Sequence, residues 1–334
     1  MKDFRISMPV RYITNTLLLI AFLVAGHLIT QSGFLGRAQN ANIISVGIFI
    51  ILAVSLNLST GYLGQLPLGH AGFMAVGAYA GAIFWRADLL PANASIVTGL
   101  IVAGLAAAVV GVLIGIPALR LKGDYLAIIT LGFGEIIRVI INNLDSVTGG
   151  APGLHGIPRY SNFFIVYLCV IICCVAIHML MKSRHGRAIL SIRENEIAAE
   201  SCGINTTYYK VMAFAFSAFF AGVAGALFAG NIGLLVPGEF DFMTSINILM
   251  IVVLGGMGSM AGSVVAASIL TSLPLFMVRL NDYRMIIYAL MLIIVMLFKP
   301  SGLLGTYDLS LSRVLEKLIR RLWAGKAKVK EGGS

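Results

Sequence analysis

The sequence predicts an all-α, polytopic membrane bundle of about ten helices. Three observations predict it. Of 334 residues 59% are hydrophobic and only 11% charged, apolar runs of spanning length recur along the chain, and the 24 Lys and Arg gather between alternate runs. Soluble domains carry about 25% charged residues. That shortfall excludes a water-soluble globule, a disordered chain and a nucleic-acid-binding module of ordinary type. The net charge of +10 must then sit on loops and tails.

A helix crosses the hydrocarbon core with about 20 mostly apolar residues. Such runs lie near 12–30, 42–60, 66–85, 94–117, 124–141, 163–181, 211–230, 243–261, 263–278 and 285–298. The first follows a basic start. Its apolar stretch from Ile13 to Ile29 is longer than a signal-peptide core, and no small-x-small cleavage site follows, so it reads as an uncleaved span. The third and eighth are broken by glycine and the last two are short, which puts the count at eight to ten. The basic residues test that count. Lys2, Arg5, Arg11, Arg120, Lys122, Lys182, Arg184, Arg187, Arg193, Lys210 and the C-terminal group from Lys299 to Lys330 fall on one side when ten spans are drawn. Arg37, Arg86, Arg159, Arg279 and Arg284 fall on the other, and Arg138 lies inside a span. Lys and Arg collect in cytoplasmic loops, so both termini are expected in the cytoplasm. Residues 1–310 then form one transmembrane domain with a cytoplasmic loop at 183–210. Residues 311–334 form a basic tail attracted to anionic lipid.

Small residues recur every four positions at Ala218, Gly222, Ala226 and Gly230, at Ala107, Gly111 and Gly115, and at Gly77 and Gly81. Between helices in lipid, close packing through such residues supplies much of the association, and packing within the bundle is the expected use. Cys169, Cys173 and Cys174 share one apolar run and read as packing residues. Two spans are interrupted, at Gly61–Gly72 (with Gln65, Pro67, Gly69 and His70) and at Gly255–Gly262. Broken helices expose backbone groups only where they line a cavity or are covered by protein. This makes Asn57, Gln65, Gly69, His70, Gly255, Gly256 and Gly258 candidates for a translocation pathway; a tight helix crossing is the alternative. A short echo, Ser55-Leu56-Asn57-Leu58 against Ser245-Ile246-Asn247-Ile248, accompanies the paired breaks. Glu135 and Arg138 lie three apart within the fifth span, on one face, where they can pair. Charge inside a membrane is a functional candidate because it is costly there, while a self-compensating pair also serves as structural glue.

Catalytic motifs are missing. No G-x-x-x-x-G-K-[ST], H-E-x-x-H, G-x-S-x-G or C-x-x-C occurs, so the chain is not expected to be an enzyme or to hydrolyse ATP itself. The loop after the sixth span carries good helix formers without Gly or Pro from Ala188 to Glu200, which predicts one short helix outside the membrane. Gly203 is placed to end it in a left-handed cap. Arg187, Arg193, Glu194, Glu196 and Glu200, with small Ala198 and Ala199, make a face that another protein can approach.

Glu196-x-Ala198-Ala199-x-x-x-Gly203 resembles the E-A-A…G loop of ABC-importer permeases, whose short helix docks on an ATPase subunit. Gly186-Arg187-Ala188 and Ile192-Arg193-Glu194-Asn195-Glu196 are similar to the branched-chain amino-acid permeases in particular. So are Leu119–Ile128, Gly61–Gln65, Gly69–Phe73, Gly77-Ala78-Tyr79, Thr148-Gly149-Gly150, Gly153-Leu154, Gly255–Ser259 and Pro300–Gly305. The likeness runs in order from about Ser55 to Gly305. One departure is Pro67, where the family leads one to expect Ser. The resemblance implies a type II ABC-importer-like permease of the LivM-type branch in a prokaryotic plasma (inner) membrane. It implies a LivH-like second permease, two cytoplasmic ATPases that hold ATP–Mg, an extracytoplasmic substrate-binding protein, and no cofactor on this chain. Leucine, isoleucine and valine would be the cargo. Urea and short-amide importers use similar permeases, and an ion-coupled secondary transporter or a structural scaffold stays open on the residues alone.

Overall fold

A computed structural model of the chain describes residues 23–28, 30, 36–87, 91–121, 123–276, 283, 286, 290, 293, 297, 298 and 302. Most of the expected spans at 12–30 and 285–298, Lys122, and the tail 311–334 lie outside the described residues. The chain falls into two compact units, 36–306 and the two ends 1–35 with 307–334. In the second of these, residues 23–28 are helical.

The unit 36–306 is helical. Helix α1 (Arg37–Asn57) runs into a π-turn at Leu58–Tyr62. An irregular stretch then leads to α2 (His70–Arg86), which therefore starts at His70 rather than near residue 66. Pro67 and the positive-φ Gly64 hold residues 63–69 out of a helix. Helix α3 (Ala92–Ala118) follows Pro91 and carries Pro117 in its last turn. Helix α4 (Asp124–Asn143) begins after Gly123 at φ 58. The short α5 (Asp145–Thr148) ends at the left-handed Gly149. Helix α6 (Phe163–Lys182) leads to two short helices, α7 (Arg184–Glu194) and α8 (Glu196–Ser201), then to the long α9 (Thr206–Ile232). A 3-10 turn (Pro237–Phe240), α10 (Phe242–Gly255) and α11 (Met260–Phe276) complete it. Strands β1 (Leu154–His155) and β2 (Leu234–Leu235) pair antiparallel, Leu154 opposite Leu235.

Among the described residues, four stretches are long and apolar enough to cross a membrane: Ala38–Tyr62, Ala94–Ala118, Phe163–Lys182 and Thr206–Ile232. The run expected as one glycine-broken span at 243–261 is the shorter α10, ending at Gly255, followed by a turn.

Helix α9 is the centre, packed on α1, α2 and α3. Its approach to α2 and α3 depends on missing side chains. A Cβ on Gly77 would strike the backbone of Gly222, and a Cβ on Gly222 would strike the Ala103 carbonyl and the Ala107 methyl. Ala107, Ala218, Ala221, Ala224 and Ala226 are fully buried there. The periodic small residues are thus consumed inside this chain, where dispersion between close backbones does the work that hydrophobic exclusion does in water. Cys173 is fully buried in α6, with Cys169 and Cys174 half-buried beside it, all as free thiols.

Candidate functional site

The loop between α6 and α9 is built by three side-chain caps. Ser183 Oγ accepts from Gly186 N at 3.3 Å and starts α7, which turns Ile189 and Ile192 into the core. At Asn195 the backbone becomes extended (φ −159°, ψ 109°), and its Oδ1 accepts from Ala198 N at 3.1 Å to start α8. The single helix expected over Ala188–Glu200 is therefore two helices: Asn competes for the backbone as an N-cap and wins over the helix formers around it. Gly203, at φ 81, ends α8 as expected, with Ile204 N bonded back to the Ala199 carbonyl at 3.1 Å. Asn205 then caps α9.

The loop's polar residues divide by task. Glu196 Oε1 meets Lys210 Nζ at 2.7 Å, and that lysine is only 3% exposed. Glu200 Oε1 accepts from the Thr206 hydroxyl at 2.6 Å. Ala199 is buried. These three fasten α8 to the start of α9. Arg187, Glu194, Ala198 and Gly203 are exposed. Ile197 is 72% exposed at the tip of the loop, an apolar side chain presented outward that the sequence reading passed over. Its signal was an isolated Ile among charged and small residues.

Arg193 faces the other way. Its Nη1 donates to the Gly61 carbonyl in the π-turn at 2.9 Å, while Nε and Nη2 hold the exposed Glu194. Gly61 in turn lies so close to Gly258 that a Cβ would strike the Gly258 backbone. Asn57, fully buried one residue before the π-turn, completes the joint. Its Oδ1 accepts from Gly258 N at 2.8 Å, and its Nδ2 donates to the Ser259 carbonyl at 3.1 Å and to Ser263 Oγ at 3.0 Å. The two breaks, about 200 residues apart in sequence, are thus held face to face, with the α7 arginine on the same turn. Gly255 and Gly256 are buried in this joint. A π-turn of this kind often marks a functional position inside a helix.

The remaining candidates sit one step away. His70 is buried at the start of α2, its Nε2 3.0 Å from Ser55 Oγ, while the next residue's N–H donates to Ser245 Oγ at 3.1 Å. The serines of the repeated Ser-x-Asn-x pattern therefore meet at one helix start. Gly69 lies against the Thr130 carbonyl of α4, and Gln65 is half-buried between the two regions. Glu135 and Arg138 pair on α4: Arg138 Nε and Nη2 both reach Glu135 Oε2 at 2.7 Å. Both side chains are about a third exposed (32% and 36%).

A family model described as the permease component of branched-chain amino acid transport systems matches residues 40–296. The chain is 38% identical over 299 residues to the high-affinity branched-chain amino acid transport system permease proteins LivM of Salmonella typhimurium and of Escherichia coli K12. Those alignments cover 77% of this chain and 68% of each relative. The LivH permease of Escherichia coli K12 is 25% identical over 284 residues, covering 77% of this chain and 91% of LivH. With its helical bundle and paired breaks inside the matched segment, the chain belongs to the permease-component family of branched-chain amino acid transport systems.

Proposed function

We propose that this chain is the LivM-type membrane subunit of an ATP-driven, binding-protein-dependent importer that carries leucine, isoleucine and valine across the inner membrane of a prokaryote. A LivH-like permease pairs with it, two cytoplasmic ATPases hold ATP–Mg, and an extracytoplasmic binding protein delivers the cargo. Both termini and the loop at 183–205 face the cytoplasm, and about ten spans complete the fold. The observation that carries this reading is Arg193: one residue of the exposed loop grips the carbonyl of Gly61 at the meeting point of the two broken helices.

Mechanically, the ATPases grip the outward residues Arg187, Glu194, Ile197 and Ala198. Their closure on ATP pulls α7 and α8, which the Glu196–Lys210 and Glu200–Thr206 contacts make rigid with α9. Arg193 passes the pull to Gly61, and Asn57 passes it on to the turn before α11. Purified chain in liposomes is expected to be silent. Adding the second permease, the ATPases, ATP and a loaded binding protein gives uptake of labelled leucine, with labelled urea as the control. Ion-driven uptake by the chain alone, or urea uptake in place of leucine, overturns the proposal.

A further inference from the structure

A groove between α3 and α9 lies apart from the joint at Asn57: none of its lining residues belongs to either break. The two helices run antiparallel, since a Cβ on Gly115 would meet Phe214 and one on Gly111 would meet Ala218. Both are among the stretches long and apolar enough to cross a membrane. The groove opens between the last turns of α3 and the first turns of α9, with a volume of about 670 Å³. Sites that hold small ligands measure ~300–1,000 Å³. Its floor is apolar, made by Val112, Ile116, Val211, Met212 and Ala215. From Ile116 the exposed Leu113, Val109 and Leu105 continue along α3. An apolar track thus leads from the groove toward the middle of a helix of spanning length.

The mouth is different. Asn205, Thr207 and Tyr208 line it, all exposed, at the end of α9 that meets α8. Tyr is enriched where a helix leaves the hydrocarbon for the headgroups. Arg120 stands exposed one turn past Ile116, and Lys122 follows it in the sequence. Among the described residues no acidic side chain lines the groove. Glu196 and Glu200 of the adjoining loop are taken by Lys210 and Thr206, and Asp124 lies on α4. Apolar floor, hydroxyl rim and basic charge follow one another in the order in which a phospholipid presents acyl chain, glycerol and phosphate.

We propose that an anionic phospholipid of the cytoplasmic leaflet seats in this groove, its acyl chain on Val112, Ile116 and Met212 and its phosphate at Tyr208, Thr207 and Arg120. Basic pockets between spanning helices hold anionic headgroups on that side of a membrane. The seat adjoins the α7–α8 loop: the Tyr208 ring packs edge-on against Tyr209 at 5.3 Å, and Tyr209 lies 5.9 Å from the His185 ring of α7. The proposal rests on the reading of that end of the bundle as cytoplasmic, and the test separates the two.

The purified chain and the assembled importer are each placed in phosphatidylcholine vesicles. These carry a trace of phosphatidylglycerol or of phosphatidylcholine with the same diazirine acyl chain, and labelled peptides are mapped after a flash. Label on 112–116 and 207–215 is expected, about fivefold stronger from phosphatidylglycerol, which is the worth of one basic residue at an anionic surface. Arg120→Gln brings the two lipids level. Ile116→Trp, at an exposed position, fills the groove and removes label from both. Equal labelling of the unaltered protein, label confined to other segments, or variants that label as the unaltered protein does overturn the proposal. So does label that appears on the chain alone and vanishes in the importer, which would give the groove to the second permease. Leucine uptake in the same vesicles reports on the functional reading by itself. A labelled groove without uptake sinks that reading and leaves the lipid seat; uptake with an unlabelled groove does the reverse.

Discussion

Replacing Arg193 with Ala removes the side-chain bond that ties the exposed loop to the first break, Arg193 Nη1 to the Gly61 carbonyl at 2.9 Å. A hydrogen bond from a charged group contributes about 1.5–3 kcal/mol when buried. The arginine side chain is 38% exposed, so solvent screening brings the figure down to about 1–1.5 kcal/mol. With about 1.4 kcal/mol per factor of ten, the bound state of the joint becomes roughly 5–10-fold less favoured. The fold does not depend on this bond, because Ile189 and Ile192 on the same helix stay in the core. The variant is therefore expected to assemble, to hydrolyse ATP, and to carry several-fold less leucine per ATP. Glu194→Gln supplies the control. The Glu194 side chain is 72% exposed in its ion pair with Arg193. Such a pair contributes almost nothing, so this variant keeps the unaltered ratio. The assay is labelled leucine uptake against phosphate release in the same proteoliposomes. An Arg193→Ala importer with an unaltered ratio would refute the idea that force passes through Gly61.

Asn57→Leu leaves the Gly258 N–H without its acceptor, while the Ser259 carbonyl and the Ser263 hydroxyl keep each other; at about 1–3 kcal/mol for an unsatisfied group taken from water, thermal aggregation in detergent is expected several degrees earlier. No shift would mean that the two breaks are held by something else. Gly222→Val drives a branched side chain into the Ala103 carbonyl and the Ala107 methyl. Overpacking of a close helix contact costs about 1–3 kcal/mol or more. A loss of monodisperse protein on size-exclusion chromatography is the expected readout, with Gly132→Val, where a Cβ meets nothing within 4 Å, as the tolerated comparison. Ile197→Asp puts charge on the exposed apolar tip of α8. Co-purification of the ATPases should fall while the permease pair stays intact, and full retention of the ATPases would place their grip elsewhere.

Much of the bundle could be read from composition, because α1, α3, α6 and α9 are long apolar runs with few charges. The four-residue spacing of Ala218, Gly222, Ala226 and Gly230 also carried the packing of α9, since small residues at one helical face have few other uses. Two features escaped for physical reasons. The division of the loop at Asn195 turns on a capping bond worth about 1 kcal/mol, a local choice that helix propensity summed over the window hides. The joint itself links Asn57 to residues about 200 positions away, and no pattern along a chain specifies which distant break an amide will meet. The sequence marked both breaks as notable; only the fold made them one place. Glu135 and Arg138, three apart, were visible as a pair because their contact is local.

The two-residue ladder of Leu154–His155 on Leu234–Leu235 has a mechanical meaning out of proportion to its size. It precedes α6 and follows α9, so it clips together the ends of those helices that lie opposite the α7–α8 loop. The Tyr79 hydroxyl bonds the Leu235 carbonyl at 3.2 Å and tacks α2 to the same clip. With one end stapled, a tilt of these helices turns them about a shared pin rather than sliding them apart. Helix α9 spans Thr206 to Ile232. Over its length of about 40 Å, a tilt of ~5° displaces the far end by ~3.5 Å. The displacement of such a tilt is thus largest beside the α7–α8 loop and vanishes at the clip.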